Sequence, residues 1–325
     1  MNSGAIGPGG QPNETVQANC LRQVEEWRNL LAQCARKPSR KRVHALRSLT
    51  LRLSTALEFH LIEQSPEPAA MRAFRRWNRE GKRLRQALGP IRDVDVYLAR
   101  LSGLQDIHKV STAQGKPLTP ICLREILKLE NRLRHRRQKG IDELMVTLAT
   151  RCKRLNRLSE EMKAALDLQN PSVIGSAAQE ALGIFEGLAL EIPRLDASNL
   201  HSFRKQLKRA LYLSEISATS DPLSGRLAGA FRKIHGAVGK WHDCQSLADE
   251  AHRILPKHAG RDGLVSVMKM LTEEALQKAL DLCRCSAAQV LKGVGPVEHF
   301  PPPKPVQNVS GEQRAGLGSN GRISK

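Results

Sequence analysis

Apolar residues recur at spacings of three and four through most of the chain, as in Val43, Leu46, Leu49, Leu53 and Leu57. That is the period of one helical face, and the alternating β-branched runs that mark strands are absent. Breakers interrupt the pattern at Lys37-Pro38, Ser65-Pro66, Gly89-Pro90, Lys116-Pro117, Asn170-Pro171, Ile192-Pro193, Asp221-Pro222 and Gly260. The spacing predicts helices over 14–36, 40–64, 68–88, 91–108, 120–168 (with Gly140 as a candidate kink), 173–190, 196–218, 222–237, 239–256 and 262–290. Thr119 before Pro120 reads as an N-cap followed by a first-turn proline. The fold class predicted is all-α. Residues 1–13 and 293–325, rich in Gly and Pro and including Pro301-Pro302-Pro303, read as disordered flanks of one domain over 14–290.

The helical array carries an internal echo. His44-Ala45-Leu46-Arg47 is matched by His201-Ser202-Phe203-Arg204, and the shared pattern H-x2-R-x4-R ends at Arg52 and Arg209. Downstream, Leu88-Gly89-Pro90-Ile91-Arg92-Asp93 is matched by Val238-Gly239-Lys240-Trp241-His242-Asp243. The offsets are 157 and 150 residues, nearly in step. Two helix sets, over about 37–168 and 173–290, would then form a pseudo-twofold bundle.

Charge changes the picture most. There are 52 Lys and Arg against 32 Asp and Glu, a formal net charge of +20. A field of that sign favours a polyanionic partner: nucleic acid, polyphosphate or an anionic membrane. Aromatics are only 3% of the chain, too few to fill a core and also stack single-stranded bases, which tilts the partner toward a polyanion without bases. Seven cysteines without a CxxC pair, and an N-terminus without an apolar signal core, point to reduced thiols in a cytoplasmic protein. The most apolar window, Val173 to Ile192, contains Glu180 and Glu186 and is no membrane span.

The basic residues fall in stripes. On a helix, Arg40, His44, Arg47 and Leu51 align, flanked by Lys41 and Arg52. His201, Arg204, Lys205, Lys208 and Tyr212 share a face in the second copy. Arg72, Arg75, Arg79 and Arg83 run along the 68–88 helix, edged by Arg76 and Lys82; Lys128, Arg132, His135 and Lys139 run along the helix from 120. Such ladders repel themselves unless acids or a bound polyanion relieve them, and acids nearby are few. Arginine forks grip phosphate bidentately and lysine adds a point charge, so four such helices lining one cleft would follow a phosphate chain without reading sequence. Asp93 and Asp95, after Gly89-Pro90, and Asp243, after Gly239, suit a helix start; they would also accept hydrogen bonds from Arg47 and Arg204 and aim them at ligand. Asp93 and Asp95 point about 200° apart on a helix, a poor acid–base pair. P-loop, H-E-x-x-H, G-x-S-x-G and dinucleotide fingerprints are missing, and Trp241-His242-Asp243 lacks companions at metal-ligand spacing. No catalysis, cofactor or metal is therefore expected.

Val43-His44-Ala45-Leu46-Arg47 with Leu88 through Val96, and His201 through Arg209 with Tyr212, Glu215 and Gly239 through Asp243, resemble the CHAD family, the conserved histidine α-helical domain. The resemblance spans roughly Lys37 to Ala288. It departs from the family at Leu51, Ser54 and Leu211, where a basic residue is usual. What the resemblance implies is a bundle of two helical repeats around a basic central cavity that binds inorganic polyphosphate, with association to polyphosphate granules. Family members also occur fused to triphosphatase-type CYTH domains, for which no acidic strand repeats are seen here. On this reading Arg47, Arg52, Arg79, Lys82, Arg83, Arg204, Lys208 and Arg209 hold phosphate oxygens. His44 and His201 donate hydrogen bonds and gain charge as pH falls through the ordinary imidazole range, about 6.5. A non-specific nucleic-acid-binding protein is the alternative, and no membrane or obligate protein partner is expected.

Overall fold

The computed structural model describes residues 15–63, 68–113, 120–168, 175–216, 218 and 221–294. Among them are eight α-helices: α1 (Val16–Arg36), α2 (Arg40–Glu63), α3 (Pro68–Ala113), α4 (Pro120–Asp167), α5 (Gly175–Glu191), α6 (Leu200–Ile216), α7 (Pro222–Ile254) and α8 (Ala259–Val294). No described residue lies in a strand. The flank 1–13, the flank 293–325 apart from Gly293 and Val294, which end α8, and the Thr119 cap predicted for α4 lie outside the described residues.

Where the ends are described, sequence chemistry explains them. The Thr15 side chain accepts from the Ala18 N–H at 3.1 Å and opens α1. Asp221 accepts from the Leu223 and Ser224 N–H groups at 3.1 and 2.9 Å and opens α7, with Pro222 in its first turn. α1 buries Val16, Cys20, Val24, Trp27, Leu31 and Cys34, a stripe of period three to four, against α2 and α4. Trp27 stacks edge-on to Trp77 of α3, with ring centroids 5.5 Å apart, and its indole N–H donates to the Thr50 hydroxyl of α2 at 2.8 Å.

Two predicted breaks are overridden. The helices expected over 68–88 and 91–108 are one helix, α3, which runs through Pro90. Those expected over 222–237 and 239–256 are likewise one helix, α7. Proline inside a helix removes one backbone donor and costs about 3 kcal/mol. Around it, however, Leu88, Ile91 and Val94 are at most 1% exposed, and burying such side chains contributes about 1.5–3 kcal/mol each. Tertiary packing wins. Gly140 lies within the unbroken span of α4, where an added Cβ would stand 3.1 Å from the Ile91 side chain, so the glycine marks close packing against α3.

The long helices serve two cores. The larger joins α1, α2, α5 and α6 to the N-terminal parts of α3 and α7 and the C-terminal parts of α4 and α8, and includes Leu84, Leu88, Ile91, Ile234, Val238 and Trp241. The smaller joins the C-terminal part of α3 (Val94, Leu101, Leu104) to α4, α7 (Leu247, Ala251, Leu255) and α8 (Leu264, Val265, Met268). α3 passes from one core to the other between Ile91 and Val94, and α7 does so between Trp241 and Leu247. The candidate site lies at that junction.

Candidate polyanion site

Four helices bring their basic side chains together at the junction. α2 contributes His44 and Arg47; α3 contributes Arg85 and Arg92; α6 contributes Arg204 and Lys208; α7 contributes His235 and His242. Arg47, Arg85, Arg92, Arg204, Lys208, His235 and His242 are half-buried, so the cations are drawn partly out of water while remaining reachable. The α3 and α7 members follow helical period: Arg85, Gly89 and Arg92 on one stripe, His235, Gly239 and His242 on the other. Gly239 leaves room for Arg204, whose Nε and Nη2 would stand 3.8 and 3.9 Å from a Cβ placed there.

Electrostatic strain is the dominant property of this cradle. Burial depresses the Lys208 ammonium to about 7, helped by the charges of Arg47, Arg204, Arg92 and Arg85. Burial and the charges of Arg204, Lys208 and Arg92 bring His235 down to about 4. Burial also lowers Arg47, Arg85 and Arg204, and Asp93 beside Arg47 and Asp243 beside Arg204 recover only part of the effect. His44, His201 and His242 are lowered too, first by burial and then by neighbouring cations. The expectation that His44 and His201 charge in the ordinary imidazole range is thus shifted to lower pH. His201 and His242 stack with centroids 5.1 Å apart, which couples α6 to α7 at the rim.

Hydrogen bonding inside the cradle is incomplete. Arg47 Nε, Arg85 Nη1, Arg204 Nε and His235 Nε2 are buried and have no hydrogen-bond partner. Guanidinium groups bury donors in this way at a cost unless something accepts from them. Asp93 and Asp243 were expected to accept from Arg47 and Arg204. Instead both face Arg92, which reaches Asp93 at 3.1 Å and Asp243 at 3.5 Å; Arg100 approaches Asp243 at 3.7 Å. Asp95 points away to α4, where Arg137 Nε donates to it at 2.5 Å.

The remaining predicted residues are spread around this centre. Arg52 is exposed, pairs with Glu215 at 3.1 Å and lies over the Tyr212 ring at 5.4 Å, with Lys208 Nζ at 5.5 Å from the same ring. Lys82 is exposed one turn before Arg85, and Arg79 is exposed a turn earlier. Arg83 turns to Glu80 at 2.6 Å, and Arg209 turns to Glu180 at 3.0 Å. The α4 stripe does not line the cradle: Lys128 pairs with Glu125 at 2.6 Å and Arg132 donates to the Ile254 carbonyl. α7 takes its place as the fourth wall. The sequence reading missed Arg85, His235 and His242 as site residues and treated Arg92 only as part of a motif. The signal for them was present, because each lies three or four residues from Gly89 or Gly239 on the glycine's own stripe.

Comparisons agree with the architecture. The chain superposes on the crystal structure of the CHAD domain from the plant Ricinus communis with a TM-score of 0.57 at 18% identity, covering 84% of this chain and 89% of that one. It superposes on PptA from Streptomyces chartreusis with a TM-score of 0.56 at 15% identity, covering 86% of this chain and 99% of that one. No curated protein matches it by sequence. Among the described residues no helix is long and apolar enough to cross a membrane. The CHAD domain model matches residues 16–252, from the start of α1 to the last turn of α7 and across all four walls of the cradle, and the chain therefore belongs to the CHAD domain family.

Proposed function

We propose that the chain binds inorganic polyphosphate in the cradle formed by α2, α3, α6 and α7, as a binding module and not as an enzyme. The observation that carries this reading is the set of buried, unpartnered donors on Arg47, Arg85 and Arg204. Each needs an acceptor, and phosphate oxygens would supply several at once in a geometry suited to guanidinium forks. Membership of a family known for polyphosphate binding supports the choice of ligand. A bound polyanion would also raise Lys208 and the imidazoles back toward their charged forms, which strengthens the grip as it forms.

Bases have little to stack on here. Tyr212 and Trp241, the aromatic residues at the cradle, are 7% and 5% exposed. This favours a polymer of phosphate alone over nucleic acid. Residence on polyphosphate granules would follow from the same affinity.

The test is binding of long-chain polyphosphate to the purified chain at 50 and 200 mM salt, with duplex DNA as competitor. Five cations (Arg47, Arg85, Arg92, Arg204 and Lys208) releasing counterions predict roughly a hundredfold loss of affinity across that range. DNA should displace polyphosphate poorly. Salt-insensitive binding would overturn the electrostatic reading, and equal displacement by DNA would make the site a general nucleic-acid surface.

A further inference from the structure

Lys208 differs in its surroundings from Lys128 and Lys163, the other half-buried lysines among the described residues. Lys128, Lys163 and Lys278 each meet a carboxylate. Among the described residues Lys208 makes no ion pair and no hydrogen bond, and its amine stands 5.5 Å from the Tyr212 ring. The groups facing it are His44, Arg47 and Arg52 from α2, Arg85 and Arg92 from α3, Arg204 from its own helix, and His235 from α7. The nearby acids are engaged elsewhere, Asp93 and Asp243 with Arg92 and Glu215 with Arg52 and Arg232. The site is thus a single amine ringed by guanidinium groups, several of them with free donors.

We propose that this arrangement makes Lys208 a self-acylation site, in which the guanidinium groups hold the phosphate of a small acyl phosphate and the Lys208 amine takes its acyl group. The step rests on the anion-binding reading of the cradle and adds a covalent fate for one of its residues. The neutral amine attacks the carbonyl carbon. A C–N bond forms, the bond from that carbon to the bridging oxygen breaks, and the electron pair leaves with inorganic phosphate. The amine's surplus proton goes to the departing phosphate, so an amide and hydrogen phosphate are the products. The arginines stabilise both the oxyanion on the attacked carbon and the phosphate that leaves.

A lysine near 7 is mostly neutral at pH 8, whereas an ordinary lysine is neutral in about one molecule in several hundred. Acylation would remove the amine that a bound polyanion otherwise charges, and so weaken the cradle's hold on polyphosphate. A bound polyanion would conversely protonate Lys208 and block the reaction.

Full-length protein is incubated with acetyl phosphate at pH 8, with and without tripolyphosphate, and the sites are quantified by peptide mass spectrometry. Acetic anhydride serves as an uncharged donor, and tripolyphosphate binding is measured separately by calorimetry. The expected result is at least about tenfold faster labelling of Lys208 than of exposed Lys82 or Lys205 with acetyl phosphate, abolished by tripolyphosphate. The preference should shrink with acetic anhydride and with Arg47→Gln. Equal preference for Lys208 with both donors would mean a reactive amine without phosphate guidance and would overturn the proposal. No preference for Lys208, with tripolyphosphate still bound, would overturn the acylation alone. No preference and no tripolyphosphate binding would remove the anion-binding reading as well.

Discussion

Two arginine clusters in this molecule use the same residue types to opposite ends. On the outer side of α3, Glu80 is 1% exposed and gathers Arg83 at 2.6 Å, Arg151 at 2.8 Å and Arg154 at 3.4 Å. On the inner side, Arg47, Arg85 and Arg204 gather around Lys208 with no acid of their own that accepts from their buried nitrogens. In the first cluster a carboxylate completes the charge balance and ties α3 to α4. In the second the balance is left open. Counting basic residues, or even plotting them on a helical wheel, does not separate these cases. What separates them is whether the acceptor is part of the chain.

The sharpest way to break the comparison is charge reversal in each cluster. Arg204→Glu should weaken polyphosphate binding by at least about a hundredfold, since it removes charge-assisted bonds and adds repulsion. Arg151→Glu should change affinity by less than about threefold, because its charge lies on the other side of α3. Direct titration of both variants at one salt concentration checks the contrast; similar losses would mean that the polymer is held by overall charge and not by the cradle.

Stability should show the reverse ranking. Burial raises the Glu80 carboxyl, but hydrogen bonds from Arg83 and Arg151 and the charge of Arg154 outweigh it and leave it below the usual range. Its contribution is therefore present above the unfolded value, about 4.3, and lost as pH falls through the lower folded value. Glu80→Gln should cost about 1–3 kcal/mol in denaturant unfolding near neutral pH, with polyphosphate affinity unchanged. The discount from larger buried-pair values reflects arginines that are 40–58% exposed and return readily to water.

The pH dependence of binding sharpens the role of Lys208. With the free amine near 7, lowering pH from 8 to 6 should raise affinity about tenfold, as the charged form no longer has to be created on binding. Lys208→Arg, charged throughout, should flatten that profile. For folding the sign is opposite. Between about 7 and the unfolded lysine value near 10.4 the unfolded chain binds the extra proton, so Lys208 favours the fold increasingly as pH rises through that window. The smallest effect is expected at Gly239. Its added Cβ would meet Arg204 only at ordinary contact distance, so Gly239→Ala should stabilise α7 by about 0.5–1 kcal/mol and leave affinity nearly unchanged. Gly239→Leu should displace the Arg204 guanidinium and lower affinity. Thermal melts with paired titrations distinguish the two substitutions.

The all-helical class was legible because the three-and-four spacing persists through helices such as α1 and α2. Helix boundaries at Pro90 and around Gly239 were not, because a local breaker says nothing of the burial of Leu88, Ile91 and Val94 that overrules it. In the site, His44, Arg47 and Arg204 were readable from their repeated spacing and Lys208 from the helix face it shares with Arg204, and the structure brings them to one place. Arg209, in that repeat, and Arg83, on the α3 stripe, were equally readable but face Glu180 and Glu80, partners 29 and 3 residues away whose direction only the packing sets. Asp95 likewise found Arg137, 42 residues on, where the sequence suggested Arg47 or Arg204. Arg85, His235 and His242 were hidden behind the glycines that drew attention to their helices.

The cradle is assembled from helices far apart in the chain: Arg47, Arg85 and Arg92 come before α4, while Arg204, Lys208 and His235 come after α5. A phosphate polymer seated there would behave as a noncovalent cross-link between early and late segments, and its release would be required before those segments separate. Ligand would then raise the melting temperature with its concentration, following RT ln(1 + [L]/Kd). Two fragments cut between α4 and α5 would each carry an incomplete set of cations, and polyphosphate would act as the template on which they find each other.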